Sequence, residues 1–220
     1  MSEASISKKK FVFLVGQTAS GKSQWSLDWA KKFEAAIFNC DSIQAYQHVD
    51  VGSAKPSLAE RKEAPHYLYD YVSTGQSLTA GQYRRDFFAQ LNNCDQEKII
   101  VVGGTGFYFQ ALEKGMYEIP EASSDIKAEI EKKLSGEEGV RELYAELQER
   151  DPAAAQKIHL NDVFRIGRAI EVIRSTGMPL SRYQQQFGHG HSFPYPLLKI
   201  GIRWGKEKLL ERITERTRQM

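Results

Sequence analysis

Gly16-Gln17-Thr18-Ala19-Ser20-Gly21-Lys22-Ser23 is the stretch whose residue types and spacing most plainly specify a chemistry. Its glycines let the backbone curl so that successive N–H groups point inward, and a helix starting at its end adds a positive N-terminal pole. Lys22 supplies a mobile cation, and the Ser23 hydroxyl can hold Mg²⁺. This is a phosphate-binding loop (P-loop), and it calls for a diphosphate or a triphosphate without saying which. Asp41 is the next candidate, at the end of an apolar run. A carboxylate there could partner Mg²⁺, act as a general base, accept a hydrogen bond from a substrate, or merely cap the turn before Ser42. Gly103-Gly104-Thr105-Gly106 offers a second flexible turn. No second acidic cluster follows a strand, which weighs modestly against an ordinary ATPase.

The elements that must position these residues follow from the apolar pattern. Phe11–Val15 is a continuous β-rich run ending at Gly16, as expected of a strand buried on both faces. A helical pattern runs from the loop to about Phe33. Residues 36–40 read as the next strand, 66–72 as another after a loop region ending at Pro65, 79–91 as a helix with Tyr83, Phe87, Phe88 and Leu91 on one side, and 98–104 as a strand with the same glycine ending. Strands alternating with helices imply a mostly parallel α/β sheet with ligand loops at the strands' carboxyl ends. From Ser123 to about Arg174 only helical periodicity appears, with breaks at Asp151-Pro152 and Gly177-Met178-Pro179. Strand character returns at 197–202, followed by a helix from Lys206. The expected fold is an α/β, P-loop NTPase-like parallel sheet flanked by helices, with an inserted all-helical domain. The expected division is 1–118 for the first part of the core, 119–195 for the insertion and 196–220 for the return of the core. The last helix carries no stop signal at Met220, so further sequence is expected beyond it.

Composition bounds the classes. The 220 residues are 41% hydrophobic and 26% charged, with 30 Lys+Arg against 28 Asp+Glu and a net charge of +2, which excludes disorder, collagen and coiled coil. No apolar run approaches the ~18 residues that cross a bilayer, and the polar, basic start lacks the apolar segment of a secretory signal. Two cysteines, Cys40 and Cys94, make neither a disulfide framework nor a C-x-x-C metal pair. A soluble, cytoplasmic protein is expected.

Further blocks carry a resemblance to a family. They are Asp41-Ser42-Ile43-Gln44-Ala45-Tyr46, Gly52-Ser53-Ala54-Lys55-Pro56, Pro65-His66-Tyr67-Leu68-Tyr69-Asp70, Val102-Gly103-Gly104-Thr105-Gly106-Phe107-Tyr108, Asn161-Asp162, Arg165, and Arg168-Ala169-Ile170-Glu171-Val172. With the P-loop, in this order and spacing, they cover nearly the whole chain, which resembles the tRNA dimethylallyltransferases. The resemblance implies transfer of a prenyl group from dimethylallyl diphosphate to N6 of the adenine immediately 3′ of the anticodon. It implies a monomer that binds the anticodon stem-loop of tRNA, with Mg²⁺ as cofactor. Residues 16–23 and Arg216 would hold the diphosphate, Lys22 and Ser23-held Mg²⁺ would stabilise its charge, Asp41 would be the general base, and Thr105 would sit at the reacting centre. Asp41, Ser42, Ile43, Gln44 and Thr105 would meet the flipped adenine, while Lys127 and the block Phe164-Arg165-Ile166-Gly167-Arg168 would contact tRNA. The chain departs from the family pattern at Val163 (usually Pro), Phe164 (usually Gln), Lys127 (usually Arg) and Gln17 (usually Pro). The last of these should matter little.

Other readings stay open on the residues themselves. A relative that prenylates free adenine nucleotides, a P-loop small-molecule kinase and an RNA-binding adaptor with a vestigial P-loop would each keep the loop. His189 and His191 lack a third ligand for zinc and read as a solvated or RNA-facing loop. Tyr67, Tyr69 and Tyr71 alternate as packed strand residues, Cys40 reads as strand packing, and the mixed charges of 127–149 read as a solvated face. The last 25 residues carry seven Lys+Arg against three Glu, which fits the edge of an RNA groove.

Overall fold

Five short strands, each following a turn or loop, build one sheet in the computed structural model, which describes residues 8–116, 121–187 and 193–219. His189 and His191 lie outside the described residues. The strands are β1 (Lys10–Gly16), β2 (Ala36–Asn39), β3 (His66–Tyr67), β4 (Lys98–Gly103) and β5 (Leu197–Ile202). All pairings are parallel, in the spatial order β3-β2-β4-β1-β5. The apolar run at 11–15 is continuous because both faces of β1 are covered. On one face Leu14 packs with Leu27 and Ala30 of helix α1 (Lys22–Phe33). On the other, Phe11 and Phe13 meet Phe87 of helix α3 (Ala80–Asn92) and Phe109 of helix α4 (Gly106–Lys114).

Two expectations need correction here. The loop region before Pro65 contains a short helix, α2 (Leu58–Glu63), started by a capping box in which Ser57 and Glu60 satisfy each other's backbone N–H groups. The strand expected over 66–72 stops after Tyr67. Leu68 and Asp70 take positive φ values of 65° and 53°, and Val72 makes only an isolated bridge to Tyr46. The chain turns there because Asp70 is drawn to Lys55 and Arg61.

The chain folds as two compact units, Met1–Gly115 with His191–Met220, and Met116–Gly190. The sheet and its helices, including α10 (Lys206–Gln219), form the first unit. The second is helical: α5 (Ser124–Leu134), α6 (Glu137–Arg150), α7 (Pro152–Ala155), α8 (Val163–Thr176) and α9 (Leu180–Phe187). Its core gathers on α8, whose Ile166, Ala169, Ile170 and Ile173 recur at helical spacing and are buried with Leu143 and Leu147. The breaks fall where expected. The buried Asp151 carboxylate accepts from Ala154 N at 3.0 Å and from Ser181 N at 2.8 Å, and Gly177 ends α8 at φ 71°. Among the described residues no helix is long and apolar enough to cross a membrane.

Candidate active site

The strand order decides which turns meet. β4 lies between β1 and β2, so the glycine turn after β4 sits between the phosphate loop after β1 and Asp41 after β2. This needs a residue without a side chain at the crossing: a Cβ on Gly103 would stand 2.0 Å from Cys40 O. Gly104 measures the gap beside it, since a Cβ there would lie 3.8 Å from both Asp41 Oδ2 and Gly16 O. One carboxylate oxygen of Asp41 and one carbonyl of the loop thus border the same glycine.

The phosphate loop opens onto α1 with Gly21 as its cap, at φ 94° and with no side chain bonded to the helix N-terminus. The first N–H groups of α1 are therefore left for an anion. Lys22 Nζ folds back onto the loop and donates to Gly16 O and Gln17 O, each at 2.7 Å. Burial pushes the Lys22 ammonium below its ordinary value, Asp41 pulls it upward, and Arg216 pushes it down again. A second anionic group arriving here would thus meet two cations beside one carboxylate.

Asp41 has two separate duties. Its Oδ1 accepts from Ile43 N at 2.9 Å and from Gln44 N at 3.4 Å, which is the turn-capping role open to it from sequence. Its Oδ2 faces the cleft. Asn39 braces the same turn, accepting from Asp41 N at 3.0 Å. Gln44 donates through Nε2 to Ser53 O at 2.9 Å and Ala54 O at 3.1 Å. Two carbonyl partners fix its amide orientation and turn Oε1 into the atom that can meet a ligand.

These residues wall a cleft of about 1130 Å³, lined by the phosphate loop, Asp41, Gln44, Ser53, Ala54, Tyr69, Gly103, Gly104 and one side of α10. Arg216 is on that wall and reaches Ser53 O at 3.4 Å. Ser42, Ile43 and Thr105 stand beside the cleft. Thr105 Oγ1 accepts from Ser42 N at 3.0 Å and so braces the turn that carries Asp41. The Cys40 thiol is wholly buried and pushed well up by that burial, in keeping with strand packing.

The residues expected to contact tRNA from the helical unit divide by burial. Phe164 is 82% exposed, and Arg165, Arg168 and Lys127 are exposed as well, with Arg168 paired to Glu171 at 2.7 Å. Ile166 and Gly167 are corrected: both point into the helical core, where a Cβ on Gly167 would come 2.7 Å from Leu134 Cδ1, so their side-chain positions cannot face RNA.

Sequence reasoning missed several neighbours. Tyr69 lies beyond the strand that ends at Tyr67, yet it packs against the core as expected and also lines the cleft, with the Arg61 guanidinium 4.9 Å from its ring. Trp204 and Arg212 reach the phosphate loop. Gln17, expected to matter little, accepts through Oε1 from Trp204 N at 3.3 Å. The signal available was the run of cations in α10; the indole and its partners carried none.

Most of the chain is similar to proteins already known. The family-wide profile described as IPP transferase matches residues 44–220. The chain belongs to the IPP transferase family. A curated relative, the tRNA dimethylallyltransferase of Bdellovibrio bacteriovorus, is 49% identical over 217 residues, covering 98% of this chain and 70% of the relative. Among solved structures, the full-length tRNA isopentenylpyrophosphate transferase of Bacillus halodurans is 31% identical with a TM-score of 0.59, covering 96% of this chain and 66% of that one. A eukaryotic dimethylallyltransferase acting on tRNA shares the fold at a TM-score of 0.76 and 24% identity, and this chain spans 53% of its length. Like the other members, this IPP transferase is a prenyltransferase by family, built on a five-stranded parallel sheet with flanking helices.

Proposed function

We propose that this chain transfers a dimethylallyl group from dimethylallyl diphosphate to N6 of the adenine immediately 3′ of the anticodon in tRNA, releasing diphosphate. The observation that carries the reading is that Asp41 Oδ2 and Gly16 O of the phosphate loop both border Gly104, a carboxylate beside an anion cradle. In the reaction the C1–O bond of the donor breaks, the N6–C1 bond forms, and the N6 proton passes to Asp41. The N–H groups at the start of α1, Lys22 and Arg216 stabilise the charge that develops on the departing diphosphate. Gln44 Oε1 accepts from the adenine edge. The adenine must leave its stack to enter the cleft, because a stacked base cannot reach a buried electrophile.

The donor set fits a magnesium ion that arrives with the diphosphate. Mg²⁺ keeps several waters and takes one or two protein oxygens besides substrate phosphates. Ser23 presents an exposed hydroxyl on the cleft wall, and no group of three or more metal-binding side chains occurs among the described residues. Bound there through Ser23, the ion would neutralise charge on the leaving group. The same reading has the protein act as a monomer in the cytoplasm, with Phe164, Arg165, Arg168 and Lys127 of the helical unit on the tRNA.

The test supplies labelled dimethylallyl diphosphate with bulk tRNA, AMP, ADP or ATP as acceptor. Label in tRNA is expected. Label in the free nucleotides alone would instead make the chain a nucleotide prenyltransferase, and ATP-dependent phosphoryl transfer without prenylation would make it a kinase.

A further inference from the structure

The phosphate loop is held from two sides. Lys22 Nζ holds the carbonyls of Gly16 and Gln17. Trp204 Nε1 donates to Ser20 O at 3.0 Å, and Arg212 Nε donates to Ala19 O at 2.7 Å. The Arg212 guanidinium lies over the Trp204 ring, 4.9 Å from its centroid, and the Trp204 backbone N–H reaches the Gln17 side chain. Between these contacts Ala19 stands at φ 61°, in the left-handed region that a residue with a Cβ seldom takes. Such a conformation persists where its surroundings over-determine it.

We infer that Trp204 and Arg212 are positioning residues that set the shape of the diphosphate cradle by holding the Ala19 and Ser20 carbonyls; this rests on the reading that the loop binds a diphosphate. A trans peptide puts its C=O and N–H on opposite sides. The bond to Ala19 O therefore fixes the direction of Ser20 N–H, which closes onto Gln17 O at 3.2 Å. The bond to Ser20 O turns Gly21 N–H away from the indole, where it can meet an anion. The Lys22 ammonium holds other oxygens of the loop, those of Gly16, Gln17 and the Ser20 side chain, and leaves the Ala19 and Ser20 carbonyls to Arg212 and Trp204. Lys22 must give up loop carbonyls when its ammonium turns to a phosphate. The indole and guanidinium then remain as the brace that keeps Ala19 in its costly conformation. The stack itself keeps the two donors together, so each needs the other.

The experiment titrates inorganic pyrophosphate, with Mg²⁺, into the full chain and into Trp204→Phe, Arg212→Met, Arg212→Lys and the double variant Trp204→Phe/Arg212→Met, with melting temperatures in parallel. One hydrogen bond lost should weaken pyrophosphate binding about three- to tenfold in Trp204→Phe and about tenfold in Arg212→Met. The double variant should lose less than the product, because both bonds act through one loop. Arg212→Lys should behave like Arg212→Met, since an ammonium lacks the Nε donor and the planar stack. Wild-type affinity in Trp204→Phe overturns the inference. So does full rescue by lysine, which would mean a charge acting directly on the anion, and so does a loss of affinity that appears only with a collapsed melting temperature. An intact chain that binds pyrophosphate but prenylates no acceptor refutes the proposed function and leaves the brace standing, whereas one that binds no pyrophosphate refutes both.

Discussion

Thr105 Oγ1 accepts the backbone N–H of Ser42 at 3.0 Å, and Thr105 N donates to Cys40 O at 3.2 Å. Through this pair the turn after β4 grips the turn after β2 on both sides of Asp41. Two strand ends that are neighbours in the sheet but far apart in sequence thereby become one rigid platform. The carboxylate's direction is set by the backbone bonds to Oδ1, in which Oδ2 takes no part.

Asp41→Asn and Asp41→Ala should separate those two duties. Asparagine keeps an oxygen for Ile43 N and Gln44 N, so it should melt close to the wild type while losing about 10²- to 10⁴-fold in prenyl transfer. Alanine should lose a similar rate and also about 1–2 kcal/mol of stability, the contribution of a capping side chain. Pyrophosphate affinity should survive both. Rates from labelled donor and melting curves check this, and a fully active Asp41→Asn would remove the assigned base.

Gly103→Ala and Gly167→Ala test close approach against mere tightness. At Gly103 the added methyl meets the Cys40 backbone at 2.0 Å and 2.2 Å, and two neighbouring strands cannot part without losing ladder bonds. The expected cost is about 3 kcal/mol or more. At Gly167 the nearest atom is the far end of the Leu134 side chain at 2.7 Å, with the next at 3.5 Å. A rotamer change there is offset by the roughly 1 kcal/mol that alanine gains over glycine within a helix. Urea unfolding of the two variants should show a large loss in the first and a small change of either sign in the second.

Asp70→Asn probes the wall that carries Ser53 and Ala54. The Lys55 side chain is 2% exposed and pairs with Asp70 and, at 3.0 Å, with Asp50, while Arg61 Nη1 meets Asp70 Oδ2 at 2.6 Å. Burial alone would raise the Asp70 carboxyl, but its hydrogen bonds from Lys55 and Arg61 outweigh it and hold the carboxyl below its ordinary value. A carboxyl lowered by folding stabilises above its unfolded value, about pH 3.9, and that share is lost as pH falls through the lower folded value. At neutral pH the variant should be about 1–3 kcal/mol less stable, because Lys55 loses a partner inside the protein. The gap between variant and wild type should close on acidification below about pH 4. Urea titrations from pH 3 to 7 read both effects, and a gap that stays constant across the range would refute the assignment.

Local order carried much of this protein in one dimension. The run at 11–15, the loop at 16–23 and the helical stretch after Ser123 each have a period or a backbone demand that neighbouring residues express, and a match to family blocks joined them. Steric demands between distant segments leave no such trace. The helix at 58–63 hid among polar residues because it buries none of its side chains, so it had no apolar period to show. The strand expected at 66–72 had the right alternation, but ion pairs to Asp70 bent the chain after Tyr67. Ile166 and Gly167 sat inside a block expected to contact RNA, and only the packing of α8 showed which of its faces is buried.

From the residues alone came the anion cradle, Asp41 as its companion and the helical stretch. Folding decided that β4 lies between β1 and β2, that Asp41 splits its two oxygens between a turn and the cleft, and that Arg212, 193 positions beyond Ala19, closes on the phosphate loop. The reason is physical. Backbone curl and apolar period are properties of adjacent residues, whereas strand order and the meeting of donor with acceptor depend on which buried surfaces the whole chain can satisfy at once.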